Sequence, residues 1–174
     1  ILNKEKPENA LEFQPISLCK VISRIEAKFI GKRMKSVMNS IIKPSQNALI
    51  SSRHISDSIL IAHDLIHNIT HHKGRKNGRM AVKVNMQKAY DRINWNFFRH
   101  VLVVSGFPDN WINLILNCVT SVSPSQPFKP SGGLRQGDSL SPYLFVLCMN
   151  VLSHNLDKAQ AKEVLRGVKI AKEA

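Results

Sequence analysis

The apolar residues of this chain change period twice, and the two switches bracket residues 80–92. Before them apolar positions recur three and four residues apart. Met80, Val82 and Val84 then alternate with Ala81, Lys83 and Asn85, which is the two-residue period of a pleat. After Arg92 the helical spacing returns. A buried strand over residues 79–85, with helices before it and packed against helices after it, predicts an α+β fold.

The helical stretches are delimited by their breakers. Residues 21–41 carry Ile22, Ile25, Phe29 and Val37 on one side and Arg24, Lys28, Lys32 and Lys35 on the other. Such a basic stripe is either a solvated face or a track for a phosphate backbone. Pro44 and the polar residues after it end that helix. A second is expected over residues 55–70, capped by Ser56 or Asp57, with Ile59, Ala62, Ile66 and Ile69 on its apolar face. His63, His67 and His71 flank that face at four-residue spacing. Two of them are able to share a metal, but no Cys, Glu or further His nearby in sequence completes a site, so they read as a polar edge. Residues 73–79 form a basic, glycine-broken turn. Further helices are expected over residues 95–104, 111–122 (capped by Asp109) and 140–158, with Trp111, Ile112, Ile115, Val119, Leu144 and Leu147 at core spacing.

At 174 residues and 43% hydrophobic composition the chain supports one domain with a core. Its net charge of +13 points to a polyanionic partner, most often nucleic acid. No apolar run reaches the roughly 18 residues needed to span a bilayer. Cys19, Cys118 and Cys148 are far apart and unpaired in pattern, as expected for reduced core thiols of an intracellular protein. The sequence opens at Ile1 without a signal-peptide pattern and is expected to be a piece of something longer or an oddly bounded gene product.

Several blocks carry a family resemblance. Asn85-Met86-Gln87-Lys88-Ala89-Tyr90-Asp91-Arg92 resembles motif A of the reverse transcriptases of plant-type non-LTR (LINE-like) retrotransposons, and Gly132-Gly133-Leu134-Arg135-Gln136-Gly137-Asp138-Ser139-Leu140-Ser141-Pro142 resembles their motif B. Phe13 to Leu18, Gln46 to Asp57, the phrase beginning Gly106-Phe107, and Arg166 to Ala171 are similar to further blocks in the same order. The resemblance implies a right-hand polymerase fingers/palm fragment, helix-rich, with a small incomplete antiparallel palm sheet. Residues 1–12 would be a tail, 13–78 fingers and 79–174 palm, truncated before motif C. It implies an RNA template and a DNA primer as partners, deoxynucleoside triphosphates as substrates, Mg2+ as cofactor, nuclear localisation, and no membrane.

By the same resemblance Arg53 faces the nucleotide's phosphates, where an arginine's planar fork grips oxygens bidentately. Arg135, Gln136 and Gly137 would abut template and nucleotide; separately, the basic stripe of Arg24, Lys28, Lys32 and Lys35 is the candidate contact to the nucleic-acid backbone. Three departures matter. Asn85 stands where the family has a metal-binding Asp, Ser139 where it has Pro, and Gln14 where it has Arg. A short hairpin also gives way near residue 124 to a loop with Pro124 and Pro127, which cannot donate to a ladder. Two-metal nucleotidyl transfer depends on carboxylates that hold both ions. Asn85 supplies a neutral carbonyl, no Asp-Asp pair occurs in the 174 residues, and Asp91 is expected to support the turn rather than bind metal. Three readings follow: a reverse transcriptase domain by descent with an inactive site in this copy, a non-catalytic nucleic-acid-binding module, and a retrotransposon relic.

Overall fold

A computed structural model describes residues 21–71, 80–121 and 131–166. Its elements are α1 (Val21–Ile41), α2 (Ile55–His71), α3 (Trp95–Val104), α4 (Asp109–Thr120) and α5 (Ser141–Ala161). The expected segments at residues 1–20, 73–79, 122–130 and 167–174 lie outside the described residues.

Four of the helices make the core. α3 packs on both α4 and α5, and α1 lies across α4 and α5. Phe98, Leu102, Ile112, Ile115, Leu144 and Leu147 meet at the centre, fully removed from water. Burying side chains of this size stabilises a fold by about 1.5–3 kcal/mol each, which is why these spacings, and not local propensity, decide where the helices sit. Local chemistry sets the ends. The Asn94 side chain accepts from the amides of Asn96 (2.8 Å) and Phe97 (3.2 Å) and starts α3. Gly106, at φ 81°, takes the left-handed conformation that turns the chain out of it. α4 begins two residues earlier than expected, with Pro108 as its N-cap residue and Asp109 inside the first turn, where a carboxylate favours the helix dipole.

Three expectations are corrected. In α1 the buried row is Ala27, Ile30, Gly31, Met34 and Met38, whereas Ile22, Ile25, Phe29 and Val37 are exposed. Both rows are apolar. The small residues of the first allow close packing: a Cβ on Gly31 would stand 3.3 Å from the Ser139 carbonyl. α2 buries none of its residues and packs on no other described helix. The strand over residues 79–85 is not formed among the described residues: the chain from Met80 to Met86 is irregular, and Met80, Val82 and Val84 are 79%, 69% and 71% exposed. Alternation becomes a strand only where a neighbour takes up the backbone bonds. No described segment does so, and the small antiparallel sheet reduces here to an isolated bridge between Asn94 and Gly132.

Candidate functional site

Residues 87–94 curl into a turn closed by the amides of Asp91 (3.0 Å) and Arg92 (3.2 Å) on the Lys88 carbonyl, with Lys88 itself at φ 51°. Against this turn lies the segment leading into α5. The Gly133 amide donates to the Ile93 carbonyl (2.7 Å), the Leu134 amide to that of Tyr90 (2.9 Å), and the Trp95 indole to that of Gly133 (2.8 Å). The two blocks most like polymerase motifs are therefore joined main chain to main chain. Tyr90 also stacks on Phe145 of α5, with ring centroids 5.0 Å apart. Burial raises the Tyr90 phenol above its usual range, so it is a neutral hydroxyl at physiological pH.

Beside this junction runs a groove of about 800 Å3. Asn85, Gln87, Arg92 and Asn94 contribute its polar groups, while Phe97, Phe145, Cys148 and Met149 are among its apolar ones. Burial pushes the Cys148 thiol up to about 12, which keeps it protonated and unreactive. Asn85 is exposed and presents an uncharged amide to the groove. Among the described residues no three His, Cys, Asp or Glu side chains gather to hold a metal ion. This donor set does not fit a pair of divalent cations.

The remaining expected site residues lie outside the groove lining. Arg135 donates to the Ser121 carbonyl and, at 3.0 Å, to its hydroxyl, bridging the end of α4 to the turn at Gln136 and Gly137. Gly137 is at φ 88°, and the Asp138 carboxylate accepts the Leu140 amide (3.3 Å), so this turn feeds directly into α5. Arg24, Lys28, Lys32 and Lys35 are exposed along α1. Arg33, which sequence reasoning did not single out, places its guanidinium 5.3 Å from the Phe29 ring centre and 5.8 Å from that of Trp111. Arg53 is half-buried, with both Nη atoms bonded to main-chain carbonyls at the end of α1. His67 and His71 stack on each other at 4.1 Å. The groove residues of α5 were not foreseen, because Phe145, Cys148 and Met149 look like any core positions.

Comparison with known proteins supplies the frame for this geometry. The profile of the family Reverse transcriptase (RNA-dependent DNA polymerase) matches residues 3–170. The chain is 26% identical over 147 residues to the Transposon TX1 uncharacterized 149 kDa protein of Xenopus laevis, covering 79% of this chain and 11% of that one. It is 28% identical over 153 residues to the Retrovirus-related Pol polyprotein from type-2 retrotransposable element R2DM of Drosophila melanogaster, covering 83% and 14% respectively. An uncharacterized mitochondrial protein of Arabidopsis thaliana is 49% identical over 49 residues, covering 28% of this chain and 40% of that protein. The chain thus spans 40% or less of the length of each of these relatives. No solved structure matches. No helix among the described residues is long and apolar enough to cross a membrane.

Proposed function

The chain belongs to the reverse transcriptase (RNA-dependent DNA polymerase) family, in its non-LTR retrotransposon branch, and from that premise we propose that this copy binds an RNA template with its DNA primer and transfers no nucleotide. The observation that carries the proposal is Asn85 on the groove beside the Tyr90–Leu134 junction. A polymerase of this family depends on a carboxylate there to hold divalent cations, and an amide carries no charge with which to do so. Losing such a ligand removes several kcal/mol of transition-state stabilisation, and each roughly 1.4 kcal/mol slows the step about tenfold.

Binding rests on other groups. Arg24, Lys28, Lys32 and Lys35 form an exposed cationic face on α1, and the chain carries a net charge of +13. Such contacts are spread over many phosphates, so no single side chain decides them. In this reading Arg135, Gln136 and Gly137, at the turn before α5, meet the template and nucleotide. The test is direct. Purified protein is mixed with a primer annealed to an RNA template, with Mg2+ and all four deoxynucleoside triphosphates. Retention of the duplex with no extended primer is expected, and Mg2+-dependent extension would overturn the proposal.

A further inference from the structure

α1 ends with carbonyls that no residue within the helix bonds, and its last turn carries no basic side chain. Apart from the Ile42 amide on the Met38 carbonyl (2.9 Å), the partners are side chains from outside the helix. Arg53 donates from Nη2 to the carbonyls of Asn39 (3.4 Å) and Ile42 (3.0 Å), and from Nη1 to those of Lys43 (2.6 Å) and Gln46 (2.7 Å). Asn150 of α5 donates to the Ile41 carbonyl (3.2 Å) and accepts the Lys43 amide (3.1 Å). Lys43 in turn forms an ion pair with Asp157, further along α5. The loop that delivers Arg53 holds Leu49 and Ser52 at φ 62° and 67°, with Ile50 buried between them. Non-glycine residues persist in that conformation where their surroundings over-determine it.

We infer that Arg53 and Asn150 are positioning residues: Arg53 gathers the carbonyls at and just past the end of α1, Asn150 ties that end to α5, and the two fix the cationic face of α1 relative to the groove and leave Arg53 no fork to offer a phosphate. A guanidinium has four Nη hydrogens, and four carbonyls occupy them. The single remaining Nε–H makes no bidentate grip. The negative end of the helix dipole also favours a cation there and opposes an incoming anion. The part of this inference that concerns binding rests on the proposed use of α1 as the nucleic-acid face.

The experiment compares wild type with Arg53→Lys, Arg53→Ala and Asn150→Leu. Thermal melting is measured first, and then primer–template affinity across a salt series, well below the melting temperature. Arg53→Ala and Asn150→Leu should each lower Tm by roughly 5 °C and weaken binding several-fold without changing the slope of log affinity against log salt. Arg53→Lys should behave like Arg53→Ala, because an ammonium is a point donor and does not span the carbonyls. If Arg53 instead grips a phosphate, its loss reduces that slope by about one and leaves Tm in place, which overturns the inference. So does full rescue by lysine, or a lowered Tm with unchanged affinity. Should Arg53→Ala fail to fold, Arg53→Lys and Asn150→Leu carry the same comparison. If wild type binds no duplex, the proposed function fails by itself, and the clamp is judged from hydrogen exchange over residues 38–46. Faster exchange in Arg53→Lys then supports it, and unchanged exchange overturns it.

Discussion

Gly132 and Ile93 approach so closely that a Cβ on Gly132 would stand 2.6 Å from the Ile93 carbonyl oxygen, a contact that main chain cannot relieve by rotating. Gly132→Ala should therefore force apart the turn of residues 87–94 and the segment before α5. A loss of roughly 1–3 kcal/mol is expected, read by urea denaturation. Gly106→Ala is the control: its Cβ would meet nothing within 4 Å, so it should lose only the roughly 1 kcal/mol of a left-handed backbone. Equal losses in the two variants would show that crowding at Gly132 is not what joins the segments.

Asn85→Asp should leave stability within about 0.5 kcal/mol, because the residue is exposed. It should also fail to restore primer extension by the 174-residue chain, which contains no Asp-Asp pair. Catalytic ligands act as a unit, so one restored member recovers little. A Mg2+-dependent product from the Asn85→Asp protein would contradict this.

The cationic face of α1 makes a graded prediction. Lys28→Gln, Lys32→Gln and Lys35→Gln should each reduce the salt slope of duplex binding by about 0.7–0.9, and the triple variant should show close to the sum. Stability should barely move, since all three side chains are exposed. Filter binding at several salt concentrations checks the slopes.

Cys148 gives a pH dependence. Its thiol is raised to about 12 by burial from a usual value of 9.0, so the native state holds a proton that the unfolded chain releases sooner. The stabilisation from burying the neutral thiol is complete below pH 9 and is lost as pH climbs from there toward 12. Cys148→Ser should flatten that alkaline decline, at the expense of a weaker core. Iodoacetamide near neutral pH should label half-buried Cys118 well before Cys148, and the reverse order would show that the thiol is not held neutral.

Much of the helical frame was legible in the sequence because period and breakers agree: α1 and α3 end where the spacing ends. The face α1 buries was not. Two apolar rows run along it, and hydropathy does not choose between them; the clue lay in Ala27 and Gly31, small enough to let another backbone close in. The alternation of residues 80–84 specified a pleat without specifying a neighbour. Arg53 shows a further gap. A sequence identifies a fork-shaped cation, but whether it meets phosphate or carbonyl is a question of which loop carries it where. Of the expected site residues, only Asn85 lines the groove, beside aromatic and sulfur-bearing residues of α5 that carry no motif.

The exposed run from Met80 to Met86 makes ionic strength a double-edged variable for anyone handling this protein. Seven residues with apolar side chains at alternate positions and main-chain groups that no described segment pairs are a template for intermolecular strand addition. Lys83 and the charge of +13 hold like molecules apart. Salt at the levels proposed to release a duplex from the cationic face shortens the Debye length, to about 3 Å at 1 M, removing the same repulsion. Release of the duplex and loss of colloidal stability should therefore occur over one salt range, and a charge placed at Val82 would separate them.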